Sequence, residues 1–431
     1  MAIQVQLRRG TATQNNAFTG AIGELSFDTT NNQLRVHDGS TAGGFKIGTG
    51  DFPTGTANVA LGNTALDSLD GSSPGGNNVA VGHNALTANT TASNNVAVGS
   101  GSLAANTTGA TSVAVGNGAL AANTTASNNV AVGSAALATS TTATDNTALG
   151  YQALNANTSG ADNVALGTEA GHDITTGSRN TILGSKAADA ATTTDDSTLV
   201  GYNAGGSAIM TGHDNTAVGA NTLGATTSGN SNTAVGKNSG TSITTGSYNT
   251  LLGFQAGDAL TTGNSNVAVG YNALSAEDGN GSNIAIGANS LGNQNAGATA
   301  YNVAVGHDAG ASVTVGIKNV LLGGLAGDAL TDADSNVAVG YQALSFDQQG
   351  SNSVAIGNQA LTTQRFTSGT NAYNVAIGAQ AGQEITTGVE NTIVGALAGD
   401  ALTTGEMTAF GFKAGSSQTT AVGNVLVGSL A

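Results

Sequence analysis

Residues 77–86 read NNVAVGHNAL, and this phrase decides the fold. Near copies stand at 94–103 (NNVAVGSGSL), 162–171 (DNVALGTEAG) and 265–274 (SNVAVGYNAL). The glycine that closes each VAVG serves as a ruler. It falls at 62, 82, 99, 116, 133, 150, 167, 184, 201, 219, 236, 253, 270, 287, 306, 323, 340, 357, 378, 395, 411 and 428, mostly 17 residues apart. Helical-hairpin arrays need roughly thirty or more residues per unit, so the period fits short strands and tight turns. The expected architecture is all-β: a parallel β-roll or β-solenoid of about 22 coils, one per ruler glycine.

Strand side chains alternate between faces, so the two valines of each coil point one way and the alanine the other. β-Branched residues suit a packed pleated surface. The reading therefore puts Val79, Val81, Val96, Val98, Val267 and Val269 in the core. Ala80, Ala97, Ala131 and Ala268 then face outward, at a close contact between copies in a homotrimer. Asparagine recurs four residues before the ruler glycine, and Asn78, Asn95, Asn129, Asn146 and Asn163 are expected to form a buried amide ladder. A further large side chain comes in two styles. Leu sits four after the glycine (Leu86, Leu103, Leu120), or Gly sits there and an apolar residue follows at seven (Ile174, Ile243, Leu260). The stretch 251–275 returns at 321–345, which points to duplication of a four-coil block and sets the two longest inserts, near 293–301 and 363–373, at equivalent places.

Composition narrows the function. Of 431 residues 65 are Gly, 8% are charged and 4% aromatic, with no Trp and no Cys. Disulfide, zinc–thiolate and thiol chemistry are excluded. A net charge of −16 argues against nucleic acid and anionic membrane as partners. The balance is uneven: Arg8, Arg9, Arg35 and Lys46 lie in the first fifty residues. The expected organisation is a domain over 1–50, a linker over 51–57 and a repetitive shaft over 58–431. The opening MAIQVQLRRG lacks the order of a secretion signal, so synthesis in a cytoplasm is expected. No apolar run approaches the roughly eighteen residues of a spanning helix, so no membrane insertion is expected.

Acidic residues are spread singly (Glu169, Asp258, Glu277, Glu384) and the histidines lack ligand spacing. No enzymatic activity, metal or cofactor is expected. A threonine column eight after the glycine (Thr90, Thr107, Thr124) raises an ice-binding reading, set against threonines that bond between coils. Gln364, Arg365 and Phe366 break the monotony on an inserted loop and are the candidates for receptor contact.

Two resemblances follow. The NNVAVG…AL phrase resembles the head repeats of trimeric autotransporter adhesins, which implies a trimeric β-roll, though that family's repeat is shorter. Residues 3–48 resemble the N-terminal domain of phage major tropism determinants and related tail-fibre proteins. The matching pieces are Leu7 to Thr11, Gly23-Glu24-Leu25 and Arg35 to Thr41. This second resemblance implies a small, trimeric, β-prism-like domain that attaches to a virion. The expected function is a structural phage fibre. It would join a baseplate, tail or capsid protein through 1–50 and meet a host-surface glycan or protein. A bacterial cell-surface adhesin is the alternative.

Overall fold

The computed structural model describes residues 8–30, 33–37, 39–40, 42, 45–47, 57–68 and 75–431. Residues 51–56 of the expected linker lie outside them. The chain divides into two compact units, Met1–Lys186 and Ala187–Ala431.

The first unit opens with a mixed four-stranded sheet: β1 (Arg8–Gly10), β2 (Leu25–Asp28), β3 (Gln33–Val36) and β4 (Phe45–Ile47), in that order. β1 runs parallel to β2, and the other neighbours are antiparallel. A single helical turn, α1 (Ala12–Asn16), links β1 to β2. Thr11 caps it: the Gln14 N–H donates to Thr11 Oγ1 at 3.4 Å, and the Thr11 N–H donates to Gln14 Oε1 at 2.9 Å.

The repeats form a parallel β-solenoid. Eight three-residue strands, Val59–Leu61 to Thr181–Leu183, lie in the first unit; the second has twelve more, from Thr198–Val200 to Thr392–Val394, and two longer ones, Thr404–Phe410 and Thr420–Val427. Within each unit strands pair in register, as Val79↔Val96, Ala80↔Ala97 and Val81↔Val98. Repeated residues therefore stack in columns, each coil lying over the next.

The faces are the reverse of those expected. Ala80, Ala97, Ala131 and Ala268 are fully buried inside their own coils, while Val79, Val81, Val96, Val98, Val267 and Val269 are only half-buried on the outside. Only the central side chain of each strand enters the coil, Ala in most and Leu or Ile in some, such as Leu251 and Ile182. The remaining space belongs to one large side chain from the opposite wall. Because side chains alternate, filling the core with Ala turns both Val outward.

The opposite wall explains the two styles of coil. In one, Leu103 and Leu120 are fully buried with φ of 49° and 51°. In the other, Gly257 takes that corner at φ +56°, and a Cβ there would lie 2.8 Å from both Leu251 Cδ2 and Leu260 Cδ1. The duplicate block repeats this at Gly327, Leu321 and Leu330. A buried Leu is worth about 1.5–3 kcal/mol, so stability accrues by stacking many such coils.

The asparagine column bonds coil to coil through the backbone. Asn78 Oδ1 accepts the Asn95 N–H at 3.0 Å, and Asn78 Nδ2 donates to the Ala92 carbonyl at 2.9 Å. Asn95, Asn129, Asn146 and Asn163 are likewise fully buried. Side chain to side chain bonds add to this in places, as from Asn163 Nδ2 to Asn146 Oδ1 at 3.1 Å.

Candidate functional site

Three regions could carry function: the N-terminal sheet, the inserted loop, and the outer face of the coils. In the sheet, Arg35 and Asp28 form a buried ion pair at 2.9 Å, and Arg35 also donates to Asn16 Oδ1 at 2.7 Å. His37 is buried as well. Its Nδ1 accepts the Gly20 N–H at 3.2 Å, which leaves Nε2 to donate to Ser26 Oγ at 2.9 Å. Arg35 and His37 thus hold the small domain together from inside. Arg8 and Arg9 are exposed. With Gln14, Asn15 and Phe18 they line an open pocket of about 410 Å³. The Arg8 guanidinium lies 3.6 Å over the Phe18 ring, a cation–π contact that holds its charge outward.

The inserted loop corrects a second expectation. Gln364 is fully buried and Phe366 is 7% exposed, so neither faces a receptor. Both anchor the loop to Asp347: Gln364 Nε2 donates to Asp347 Oδ2 at 2.6 Å, and the Phe366 N–H donates to Oδ1 at 2.9 Å. An irregular sequence here marks a polar knot beside the usual apolar corners, Leu344 and Leu361, both fully buried. Arg365 remains exposed.

The knot follows a rule that reading the sequence did not find. Where Leu occupies the corner, from Leu86 to Leu361, the residue three later is polar, and Asn89, Asn106 and Glu277 there bond the residue three further on. Asn89 shows the full pattern: Oδ1 accepts the Ala92 N–H at 2.9 Å and Nδ2 donates to the Ala92 carbonyl at 3.1 Å. Glu277 occupies this column and can only accept. Its Oε1 takes the Asn280 N–H at 3.1 Å and Nδ2 at 2.9 Å, while the buried Oε2 has no partner. Burial pushes the Glu277 carboxyl up from its ordinary range, against those hydrogen bonds. A raised folded-state pKa leaves stability untouched below the unfolded value, near 4.3. Stability is then lost as pH rises through the window up to the folded value. Glu277→Gln supplies the missing donor, so it stabilises the second unit by about 1–2 kcal/mol at pH 7 and by nothing near pH 3. Melting curves of both chains at the two pH values check this, and an equal Tm gap at both would contradict it.

The threonine column spends its donors internally: Thr90 Oγ1 donates to the Thr107 carbonyl at 3.1 Å and Thr107 Oγ1 to the Thr124 carbonyl at 3.0 Å. Among the described residues, no group of three or more His, Asp or Glu is placed to hold a metal ion. No described helix is long and apolar enough to cross a membrane.

The outer face of the coils is the remaining candidate. The residue just before each ruler glycine is Val, Leu, Ile or Phe in every coil. It is nevertheless only partly buried, with Leu149 still 43% exposed, Leu252 48% and Ile377 38%. The central strand residue, which is buried, is likewise never polar, whereas the first is Thr in eight coils, from Thr147 to Thr408. The third strand position is thus kept apolar while facing outward.

Comparison with known proteins bears on the N-terminal segment. The profile of the family described as major tropism determinant N-terminal domain matches residues 5–41. The tail fibre receptor-binding protein of Bordetella phage BPP-1 is 48% identical over 52 residues, which are 12% of this chain and 14% of that protein. The likeness thus spans a small part of either chain.

Proposed function

We propose that this chain is a structural phage fibre. Residues 1–50 would form the virion-attachment domain, on a baseplate, tail or capsid protein, and the repeats from 58 onward the shaft. The observation that carries this reading is the fibre-type sequence at 5–41 placed directly ahead of the repeats. The exposed Arg8 and Arg9 pocket gives that domain a surface distinct from the acidic remainder.

The shaft works as a homotrimer, with the Val, Leu and Ile face of each copy against its neighbours. In the second unit fourteen strands, about 4.8 Å apart and about 10 Å wide, present roughly 670 Å² of this face. That exceeds the largest apolar patch of an ordinary monomer, about 300–600 Å², and approaches the roughly 800 Å² per partner of a stable interface. Three copies follow the trimeric domains of the families the sequence resembles. The assembled fibre extends from the particle and mediates attachment to a host-surface glycan or protein. It has no catalytic role in this reading.

The test removes 1–50 from the chain during phage growth. Expected is a truncated product that accumulates in the lysate and is missing from purified particles. Truncated chain on particles in normal amount would overturn the assignment.

A further inference from the structure

Resting on that self-association, we infer that the two columns flanking the strand meet across the contact between copies and set its axial register. The apolar face repeats with every coil, so sliding one copy by a whole coil restores nearly the same contacts. Uniform repeats specify register weakly, and a few irregular residues can then decide it. The irregular residues of this chain are concentrated in two places. All six tyrosines of the second unit lie either five before the ruler glycine (Tyr248, Tyr301, Tyr373) or one after it (Tyr202, Tyr271, Tyr341). They are 51% to 67% exposed.

In six of the fourteen coils of the second unit the two columns also compensate each other in size. Where the later position is large, the earlier one is small: Tyr271 with Ser265, Tyr341 with Ser335, Lys237 with Ser231. Where the earlier is large, the later is small: Tyr373 with Ala379, Lys318 with Gly324, Glu390 with Ala396. Three coils carry large residues at both, Tyr248 with Phe254, Tyr301 with His307 and Glu406 with Phe412. In the first of these the Phe254 ring stacks on Tyr271 of the next coil, with centroids 5.7 Å apart and 7° between planes, so it leans along the axis. Within one chain the paired positions sit at opposite ends of an extended segment, roughly 15–20 Å apart, too far to touch. Compensation at constant gap therefore fits one copy's earlier column against the later column of its neighbour at the same level. A slipped register sets ring against ring at some levels and opens gaps at others.

The chain has no native cysteine, so engineered pairs report directly. Ser335→Cys with Tyr341→Cys in the full chain, oxidised and run on a non-reducing denaturing gel, should give mostly covalent multimers. A disulfide within one chain is barred, since it needs Cα atoms within about 7 Å. The mismatched pair Ser335→Cys with Tyr271→Cys should cross-link at least tenfold less. Sedimentation of the unsubstituted chain separates the two proposals. A monomer sinks self-association and this inference together. An assembled chain whose matched pair gives no cross-link, or no more than the mismatched pair, sinks this inference alone.

Discussion

Gly270→Ala destroys the coil that it closes. The glycine has φ +142°, and a Cβ built on it would lie 2.5 Å from the Gly287 carbonyl oxygen and 2.6 Å from its carbon. Both are backbone atoms of the neighbouring coil, so no rotamer change relieves the clash. Left-handed strain adds to it. The expected cost is about 4 kcal/mol or more, in the range reserved for severe core lesions. Gly297→Ala is the control. Gly297 also has positive φ, at +68°, yet nothing lies within 4 Å of its Cβ. It should cost only about 1–2 kcal/mol, from the left-handed penalty alone. Urea unfolding of the two variants checks the difference. Equal destabilisation would mean that φ, rather than close stacking of coils, demands the glycine.

The second large effect separates the two faces of one strand. Ala268 is fully buried between Leu251 and Ala285 of the adjoining coils. Ala268→Glu forces extra volume and an unpaired charge into a closed core, for about 4 kcal/mol or more. Val267 is its sequence neighbour and half-buried on the outside. Val267→Glu should leave the monomer's β circular dichroism and protease resistance intact while weakening assembly. Loss of fold in both, or in the Val267 variant alone, would contradict the placement of faces.

Much of this was legible in the sequence. The ruler glycines marked every coil because close backbone stacking leaves no room for a Cβ, and a stacking constraint recurs at a fixed period. The phase of the strand was misread because size was taken as the guide to burial. A narrow coil inverts that guide, and Ala is inside. The better signal was polarity. Thr replaces Val at the first strand position (Thr147, Thr181, Thr250), while the central position takes only Ala, Leu or Ile. Polar substitution marks the outward side of a strand whatever the side-chain size. The loop at 363–373 misled for a related reason. Gln364 and Phe366 looked individual because they serve a buried carboxylate, Asp347, placed 17 residues before Gln364. Sequence distance conceals such a partner until coils are stacked. In the N-terminal segment, motif matching found Arg35 and His37, and only geometry shows them turned inward as supports.

The central claim is that an apolar strand face, outward in each chain, is closed by other copies of the same chain. Sedimentation velocity of the unsubstituted full chain tests it most directly, run over a hundredfold range of dilution beside the Val267→Glu variant. The account predicts one species of three chains throughout, with the variant shifted toward the monomer. A unsubstituted chain that sediments as a monomer at every concentration would contradict it.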